Sequence, residues 1–472
     1  MSAPARPARH WCAWALPDAR PGGAAVPGLL VETAGGVITA VSTAAAPPPD
    51  AERLEGLVLP GLANAHSHAF HRALRGRTGE AGGSFWTWRE AMYRMAARLD
   101  PDSYHRLARA VYAEMALAGV TCVGEFHYLH HDPAGRRYAD PNAMGQALVA
   151  AAADAGIRIT LLDTCYLAGG LDGAAGHTPL RGPQIRFGDT DADTWAARVA
   201  AFAPAGGHAR VGAAVHSVRA VPRDQIARIT EIGAQARWPA VHVHLSEQPA
   251  ENAACRAAHG VTPARLLADT GFLERLRPTL VHATHLTPED AALVREAAAR
   301  VCLCPTTERD LADGLCDLAA LRGTDLALGS DGHSSIDLFE EARGAEMHER
   351  LRTGRRGTLA AADLLTALHA HGHAALGWGG TAGESAAAGE GGAEAGRIAP
   401  GARADLVVLG LDGVRLAGFD PARAADAAVF AATAADVRHV MADGRWIVRD
   451  GVHTLIPDAA ARLDAAIREA AA

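Results

Sequence analysis

The chain has 472 residues, 49% of them hydrophobic, and a net charge of -8 without any block of basic residues. This length predicts a large domain with a smaller companion, and the charge argues against nucleic acids and anionic membranes as partners. All 45 basic residues are arginine, which excludes a pyridoxal Schiff base, a catalytic lysine amine and a lysine carbamate that bridges two metals.

The sequence predicts neither a signal peptide nor a membrane span. Residues 1–10 lack an apolar core, and no uninterrupted apolar run of about 18 residues follows. The seven cysteines are scattered, and only Cys302 and Cys304 lie close together. This spacing argues against a disulfide framework or a Cys-x-x-Cys zinc cage. We therefore expect a cytoplasmic protein with reduced cysteines.

The two ends of the chain share one pattern, in which short strands alternate with Gly and Pro. Residues 29–32 and 36–41 follow this pattern near the start, and residues 404–409 and 437–448 follow it near the end. We expect the two ends to pair into one small β-sandwich. Its first part would be residues 1–61, and residues 396–472 would supply its second part and a C-terminal helix.

Between these ends, in residues 62–395, apolar runs alternate with alanine-rich helical stretches. After a first strand that ends at His66-Ser67-His68, the runs are 120–125, 157–162, 210–215, 241–245, 279–282, 301–304 and 326–331. Eight such units in an α/β chain favour a (β/α)8 TIM-type barrel. Residues 379–396 are rich in Gly, Ala and Glu, and they predict a flexible insertion.

Polar residues follow the apolar runs at the positions where a barrel places its active site. His66 and His68 point the same way from one strand end, and His244, His282 and Asp331 end later strands. Three imidazoles and a carboxylate can hold a divalent metal that activates water. Glu247, three residues after His244, is close enough to handle protons.

Each of these residues has a plainer explanation when it is taken alone. A single histidine such as His244 or His282 is more often a hydrogen-bonded core group. Asp331 could be a helix N-cap, and Glu247 could lie in the first turn of a helix. The ordered set, with each member at a different strand end, makes coincidence a poor explanation.

The ordered set resembles the amidohydrolase superfamily, and in particular its mononuclear zinc deaminases. Within that superfamily the chain is most similar to the formimidoylglutamate deiminase family. The segments that carry the closer resemblance are Leu59-Pro60-Gly61 to Phe70, Ser84-Phe85-Trp86-Thr87-Trp88-Arg89-Glu90, Glu125-Phe126-His127-Tyr128-Leu129-His130-His131, His216-Ser217-Val218-Arg219-Ala220-Val221 and Cys304-Pro305-Thr306-Thr307-Glu308. The resemblance covers nearly the whole chain, since the family also builds a β-sandwich from both termini.

The resemblance implies a metal site, proton-handling groups and a substrate pocket. It makes His66, His68, His244 and Asp331 the ligands of one Zn2+ per chain. Glu247 and His282, with Asp331, would move protons, and Arg89, Tyr128, His216, Arg219 and His71 would contact substrate. His71 departs from the family, in which a Gln occupies that position.

The family's reaction is hydrolytic deimination of N-formimino-L-glutamate to N-formyl-L-glutamate and ammonia, in histidine degradation. The substrate has two carboxylates, which arginine binds through two parallel hydrogen bonds. We expect this small dicarboxylate as the partner, no nucleic acid or membrane, and, from the family, a homodimer. For Phe85, Trp86 and Trp88 we favour core or interface packing over contact with the ligand.

Two other functions remain open at this point. The same metal centre could serve a deaminase or chlorohydrolase that acts on a purine, pyrimidine or triazine ring. Alternatively, the barrel could be catalytically inactive and act as a binding or assembly protein. An inactive barrel of that kind would be expected to have lost some of the metal-ligand residues, and all of those residues are present here.

Overall fold

The computed structural model describes residues 7–18, 23–79, 83–379 and 393–471. Most of the predicted insertion, residues 380–392, lies outside them. The strands in these ranges are β1 (Ala8–Ala15), β2 (Val26–Ala34), β3 (Val37–Thr43), β4 (Glu52–Pro60), β5 (Leu62–Ser67), β6 (Val120–His127), β7 (Arg158–Cys165), β8 (Gly170–Leu171), β9 (His177–Thr178), β10 (Ala209–Val215), β11 (Val241–Leu245), β12 (Thr279–His282), β13 (Arg300–Leu303), β14 (Leu326–Leu328), β15 (Leu406–Leu409), β16 (Val437–Ala442), β17 (Arg445–Arg449) and β18 (Val452–His453).

The helices surround the strands or close the chain. Over the same described ranges they are α1 (Phe85–Ala96), α2 (Pro101–Leu117), α3 (Ala143–Ala155), α4 (Ala192–Ala200), α5 (Arg223–Ala236), α6 (Pro249–His259), α7 (Pro263–Asp269), α8 (Phe272–Leu276), α9 (Pro288–Glu296), α10 (Pro305–Asp310), α11 (Leu338–Thr353), α12 (Ala361–Leu368), α13 (Ala370–Ala375), α14 (Ala424–Phe430) and α15 (Ala459–Ala471). No helix of the described ranges is both long and apolar enough to span a lipid bilayer.

Eight parallel strands form the predicted barrel, in the order β5, β6, β7, β10, β11, β12, β13, β14. Every residue of β6 and β7 is buried, because both faces of a parallel sheet are covered. The ring closes where Ser67 pairs in parallel with Asp331. The (β/α)8 class expected from the sequence is confirmed.

The two chain ends form one mixed sheet, with strand order β3, β2, β1, β4, β15, β16, β17, β18. Only β1 and β4 pair in parallel, and the other neighbours are antiparallel. This confirms the pairing of the two ends. The chain passes into the barrel through Gly61, between β4 and β5.

A buried ion pair joins the mixed sheet to the barrel. Arg158, at the start of β7, donates hydrogen bonds to both carboxylate oxygens of Asp405 and a bond of 2.9 Å to Asp443. Asp405 and Asp443 lie beside β15 and β16, and Arg158 and Asp405 are each 1% exposed. Removal of either partner would leave an uncompensated buried charge, which is strongly destabilising. The pair therefore fixes the barrel against the sheet.

Candidate active site

Five polar side chains predicted from the sequence meet at the carboxyl ends of the barrel strands. His66 lies in β5 and His68 directly follows it. His244 lies in β11, His282 ends β12, and Asp331 follows β14. All five are buried. The structure thus brings together the residues that the sequence assigned to a metal and to proton transfer.

The facing ring nitrogens and the carboxylate are close enough to share one ion. The Nε2 atoms of His66 and His244 are 3.1 Å apart. Oδ1 of Asp331 lies 3.4 Å from Nε2 of His66 and 3.3 Å from Nε2 of His68. Ligands bound tetrahedrally to zinc at about 2.0–2.1 Å lie about 3.3 Å from each other. The spacing therefore fits a single metal ion.

Backbone carbonyls orient two of the three imidazoles. Nδ1 of His68 donates to the carbonyl oxygen of Phe126 at 3.0 Å, and Nδ1 of His244 donates to that of His216 at 2.9 Å. A proton on Nδ1 leaves the lone pair of Nε2 free for a metal. Burial lowers the pKa of His68 to about 3 and that of His66 and His244 well below the ordinary value. Neutral imidazole is the form that binds metal.

Glycine permits the close approach of the last strand to the first. A Cβ atom on Gly329 would lie 2.7 Å from Cβ and 2.8 Å from the backbone nitrogen of His66, so a side chain there would force the strands apart. The amide nitrogen of Asp331 then donates to the carbonyl oxygen of His66 at 3.0 Å. This contact places the carboxylate of Asp331 beside the His-x-His pair.

Several residues at the strand ends have left-handed backbone conformations. The φ angles are 49° at Ser246, 70° at His282, 41° at Asp331 and 58° at His333. Such conformations cost free energy in residues other than glycine, and they concentrate at functional sites. Here they turn the chain sharply after β11, β12 and β14, so that the side chains of His282 and Asp331 point over the barrel mouth.

His282 faces three carboxylates. Its Nε2 lies 3.8 Å from Glu247 and 3.9 Å from Asp331, and its Nδ1 lies 3.4 Å from Glu308. Burial alone lowers the pKa of His282, but the carboxylates raise it to about 10. Nε2 has no hydrogen-bond partner, so it is available to a water or substrate between His282 and Asp331.

Glu308 and Glu251 are site residues that the sequence analysis did not assign. Glu308 orients His282 and also accepts a hydrogen bond of 2.9 Å from the amide nitrogen of Cys304. Its signal was the polar run Thr306-Thr307-Glu308 in α10, the helix that follows β13. Glu251 lies in the first turn of α6, and its carboxylate and that of Glu247 both contact Arg219.

A cavity of 330 Å³ opens beside these residues. It is lined by three of the four predicted metal ligands (His68, His244 and Asp331), by Glu247 and His282, by all five residues assigned to substrate, and by an aromatic wall. The wall consists of Phe85, Trp86, Trp88, Tyr93, Tyr166 and Phe187. Phe85, Trp86 and Trp88 were expected to pack away from a ligand, but the first turn of α1 places them on the cavity wall.

The two arginines of the cavity have different surroundings. Arg219 donates a hydrogen bond of 2.8 Å to Glu247 and lies 3.3 Å from Glu251. Arg89 stacks over the rings of Trp86 and Tyr93 at 5.2 and 5.1 Å. No carboxylate of the described residues lies within ion-pair distance of Arg89. Its guanidinium is therefore the cavity's available anion-binding group.

The remaining residues predicted for substrate contact form a polar patch next to the ligands. Nε2 of His71 lies 3.0 Å from the hydroxyl of Tyr128, and the ring of His71 lies 4.5 Å from that of His68. The ring of His216 lies 5.1 Å from that of His244. His71, Tyr128 and His216 therefore border both the cavity and the histidines predicted to bind a metal.

A second buried group, His127, His130 and Asp163, also has the composition of a metal site. Its carboxylate is already occupied, because Asp163 accepts hydrogen bonds of 2.7 and 2.9 Å from Arg198 and one of 3.1 Å from Trp195. A metal at this carboxylate would lie beside a guanidinium cation and be repelled by it. We interpret this group as structural.

Comparison with known proteins agrees with the fold. Residues 57–447 match the model of the amidohydrolase family. The chain is 41% identical over 411 residues to a formimidoylglutamate deiminase from Pseudomonas aeruginosa, with 85% of this chain and 87% of the relative covered.

Two further proteins are similar over most of the chain. An 8-oxoguanine deaminase from the same species is 30% identical over 84% of this chain and 83% of the relative. The crystal structure of an amidohydrolase from Brucella melitensis is 30% identical, has a TM-score of 0.84, and is matched over 98% of this chain and 100% of that one. The chain belongs to the amidohydrolase family.

Proposed function

We propose that this protein is a zinc-dependent deiminase that hydrolyses N-formimino-L-glutamate to N-formyl-L-glutamate and ammonia. The observation that carries the proposal is that a histidine and aspartate metal site shares one cavity with Arg89, a guanidinium without a carboxylate partner among the described residues. The 41% identical deiminase supports the same substrate. We further propose a role in histidine degradation in the cytoplasm.

We propose one zinc ion per chain, held by His66, His68, His244 and Asp331. The set of nitrogen and carboxylate donors suits zinc. The absence of lysine removes the carbamate that could bridge a second metal. Zinc at such a site lowers the pKa of a bound water towards neutrality, which supplies a nucleophile without a strong base.

The chain's own residues would then move the protons of the reaction. As the water oxygen attacks the formimino carbon, Asp331 and His282 orient the water. Asp331 accepts one of its protons, because the neighbouring carboxylates raise the pKa of His282 and keep that imidazole protonated. Glu247 pairs with the cationic formimino nitrogen, takes up the other proton of the water and delivers it to that nitrogen as the C–N bond breaks. The nitrogen leaves as ammonia, and the carbon keeps the oxygen as the formyl group.

Recognition of the two carboxylates would come from the other side of the cavity. Arg89 can offer two parallel N–H groups to one carboxylate. Arg219 has N–H groups beyond those that contact Glu247 and Glu251, and Tyr128 and His216 can add hydrogen bonds. We propose this small dicarboxylate as the partner, with no nucleic acid or membrane involved, and a homodimer as the assembly.

An ammonia-release assay tests this function. Protein stripped with a chelator, then restored with zinc, should release ammonia from N-formimino-L-glutamate only after restoration, and formylglutamate should appear in equal amount. Failure of zinc-restored protein to release ammonia would contradict the proposed substrate. Full activity of the stripped protein would contradict the proposed metal.

A second candidate function is deamination of a nucleobase ring. The aromatic wall of Phe85, Trp86 and Trp88 favours it, because flat rings stack on such side chains, and a relative 30% identical is an 8-oxoguanine deaminase. The same assay with guanine and adenosine analogues separates the two candidates. We expect no ammonia from the rings, since they present no carboxylate to Arg89.

A further inference from the structure

A row of buried polar side chains lies on the side of β5 that faces away from the metal site. Its members are Asn64, Ser330, His333, Ser67 and Glu125, and we call them the rear chain. Each is 0% exposed. Because side chains alternate along a strand, Ser67 points away from the face that presents His66 and His68. A one-residue register shift between Asn64 and Ser67 in the pairing of β5 with β6 brings Asn64 to the side of Ser67. The rear chain therefore cannot reach substrate.

The rear chain is connected by hydrogen bonds from end to end. Asn64 Nδ2 donates to Ser330 Oγ at 2.6 Å, and Ser330 N donates back to Asn64 Oδ1 at 2.9 Å. Ser330 Oγ lies 3.0 Å from Nδ1 of His333, and Nε2 of His333 lies 3.2 Å from Ser67 Oγ. Ser67 Oγ donates to Glu125 Oε2 at 2.7 Å.

The amide of Asn64 sets the direction of these bonds. Ser330 Oγ accepts from Asn64, so its own proton goes to Nδ1 of His333. The other ring nitrogen, Nε2, then carries the proton that Ser67 Oγ accepts. The hydroxyl of Ser67 in turn donates to Glu125, whose Oε1 accepts 2.7 Å from the amide nitrogen of Ala69. Glu125 must therefore accept at both oxygens.

The rear chain is joined directly to three of the four proposed ligands. Ser67 lies between His66 and His68 in sequence, and Ser330 precedes Asp331. The backbones of the two segments also pair, because the amide nitrogen of His68 donates to the carbonyl oxygen of Asp331 at 3.2 Å. A shift in any member of the rear chain would therefore displace His66 and His68 relative to Asp331.

Burial of the carboxyl group of Glu125 at this place costs free energy. Among the described residues, none of the ion pairs includes it, and burial raises its pKa to about 8. A hydrogen-bonded network of this kind adds little net stability compared with apolar packing, but it selects one arrangement of the groups that it joins. The position of Glu125 indicates that it fixes the register of the strands at the metal site.

We propose that Glu125, acting through Ser67 and His333, is a positioning residue that sets the placement of His66 and His68 relative to Asp331. This inference rests on the assignment of these three residues as metal ligands under the proposed function. Glutamine cannot replace Glu125, although it has the same size. Its amide nitrogen cannot accept a hydrogen bond, whereas each oxygen of a carboxyl group can, and Ser67 and Ala69 both donate.

Zinc affinity, measured by competition with a chromogenic chelator on the full chain, tests this proposal. Ser67→Ala and Glu125→Gln should each weaken zinc binding about 10-fold or more, the usual effect of losing a residue that supports a ligand. The double variant should be scarcely weaker than the single variants, because both remove the same hydrogen bond. The absorption spectrum of the cobalt-loaded variants should also shift, which reports ligand geometry directly.

Glu346→Gln is the matched control. Glu346 is also 0% exposed and accepts two backbone hydrogen bonds, of 2.7 and 2.9 Å, from Gly357 and Leu359, but it lies in α11 away from the ligands. This variant should keep the zinc affinity and cobalt spectrum of the wild type. Ser67→Ala removes a single oxygen and remains informative if Glu125→Gln does not fold.

Two results would overturn the positioning role alone. One is wild-type zinc affinity and cobalt spectrum in both Ser67→Ala and Glu125→Gln. The other is an equal loss of affinity in Glu346→Gln, which would show a general effect of a lost buried carboxylate. A wild-type protein that binds no zinc would overturn the metal assignment as well.

Discussion

Arg219 donates a hydrogen bond of 2.8 Å to the Oε2 atom of Glu247. The other carboxylate oxygen of Glu247 lies 3.8 Å from Nε2 of His282. Glu247 is thus held between a cation that faces the cavity and an imidazole that faces the metal site. This arrangement leaves the carboxylate aimed at the space where a substrate nitrogen would lie, and it connects substrate binding with proton transfer.

Glu247→Gln should abolish most turnover and leave metal binding intact. The amide can still accept a hydrogen bond from Arg219 but cannot deliver a proton to the leaving nitrogen. General acid–base groups contribute about 10²- to 10⁴-fold in rate, so kcat should fall within that range. Zinc content by atomic absorption should stay at the wild-type level. Deimination near the wild-type rate would contradict the role given to Glu247.

Arg89→Met should weaken substrate binding more than it slows the chemical step. The variant keeps the apolar stem that packs on Trp86 and Tyr93 and loses the charge. Loss of a charge-assisted pair costs about 1.5–3 kcal/mol, which raises KM by about 10- to 100-fold. Arg94→Met, an exposed position on the same helix α1, is the control and should not change KM. A fall in kcat without a change in KM would contradict a carboxylate anchor at Arg89.

The fold was predictable from the sequence to an unusual extent, because most of the barrel strands are short apolar runs that are buried on both faces. The runs at 120–125 and 241–245 lie in β6 and β11. The clustering of the three histidines and Asp331 was predictable for the same reason: polar residues that end such runs must lie at one end of the barrel.

Pairings between distant segments could not be predicted. Nothing in the sequence links Glu308 to His282 or Arg219 to Glu251, since these contacts depend on how loops after different strands fold over the mouth. The placement of the aromatic residues of α1 could not be predicted either. Their spacing fits a core-facing helix equally well, and only the position of α1 over the barrel makes Phe85 and Trp88 part of the cavity wall.

Removal of the metal should lower the melting temperature, and zinc should restore it. Without an ion, the three imidazoles and Asp331 converge with unpaired lone pairs in a buried site, so binding to the folded state alone stabilises it. At a free zinc concentration 100 times the dissociation constant, the gain is about 2.7 kcal/mol. Differential scanning fluorimetry of stripped and zinc-loaded protein measures the change. His244→Ala should lose the zinc response, and a full response in that variant would contradict the ligand set.

Acid should destabilise the fold through Asp163. Burial raises the pKa of this carboxyl, but the guanidinium of Arg198 outweighs burial and brings the pKa to about 2. Because the pKa of Asp163 is lower in the folded than in the unfolded chain, its charge adds to the free energy of unfolding above about pH 4. This contribution is lost as the pH falls towards 2. The shift corresponds to roughly 2 kcal/mol.

Asp163→Asn tests this pH dependence. At pH 7 the variant should unfold at a lower urea concentration than the wild type, because Arg198 loses a buried partner. The difference should shrink between pH 4 and pH 2, where the wild type also loses the charge. Metal-free protein should be used, so that release of zinc in acid does not contribute. A constant difference across this range would contradict the assignment to Asp163.

Variants of His71 test whether this residue, which takes the place of the family's Gln, contacts substrate. Its Nε2 contacts the hydroxyl of Tyr128 at 3.0 Å, and its Nδ1 is buried without a partner, so one polar atom remains available to substrate. Loss of a hydrogen bond to a charged ligand costs about 1.5–3 kcal/mol. His71→Leu should therefore raise KM for N-formimino-L-glutamate by about 10-fold or more. His71→Gln keeps a polar atom in reach of Tyr128 and should stay close to the wild type. Equal KM values for the Leu and Gln variants would show that His71 only packs against His68 and does not contact substrate.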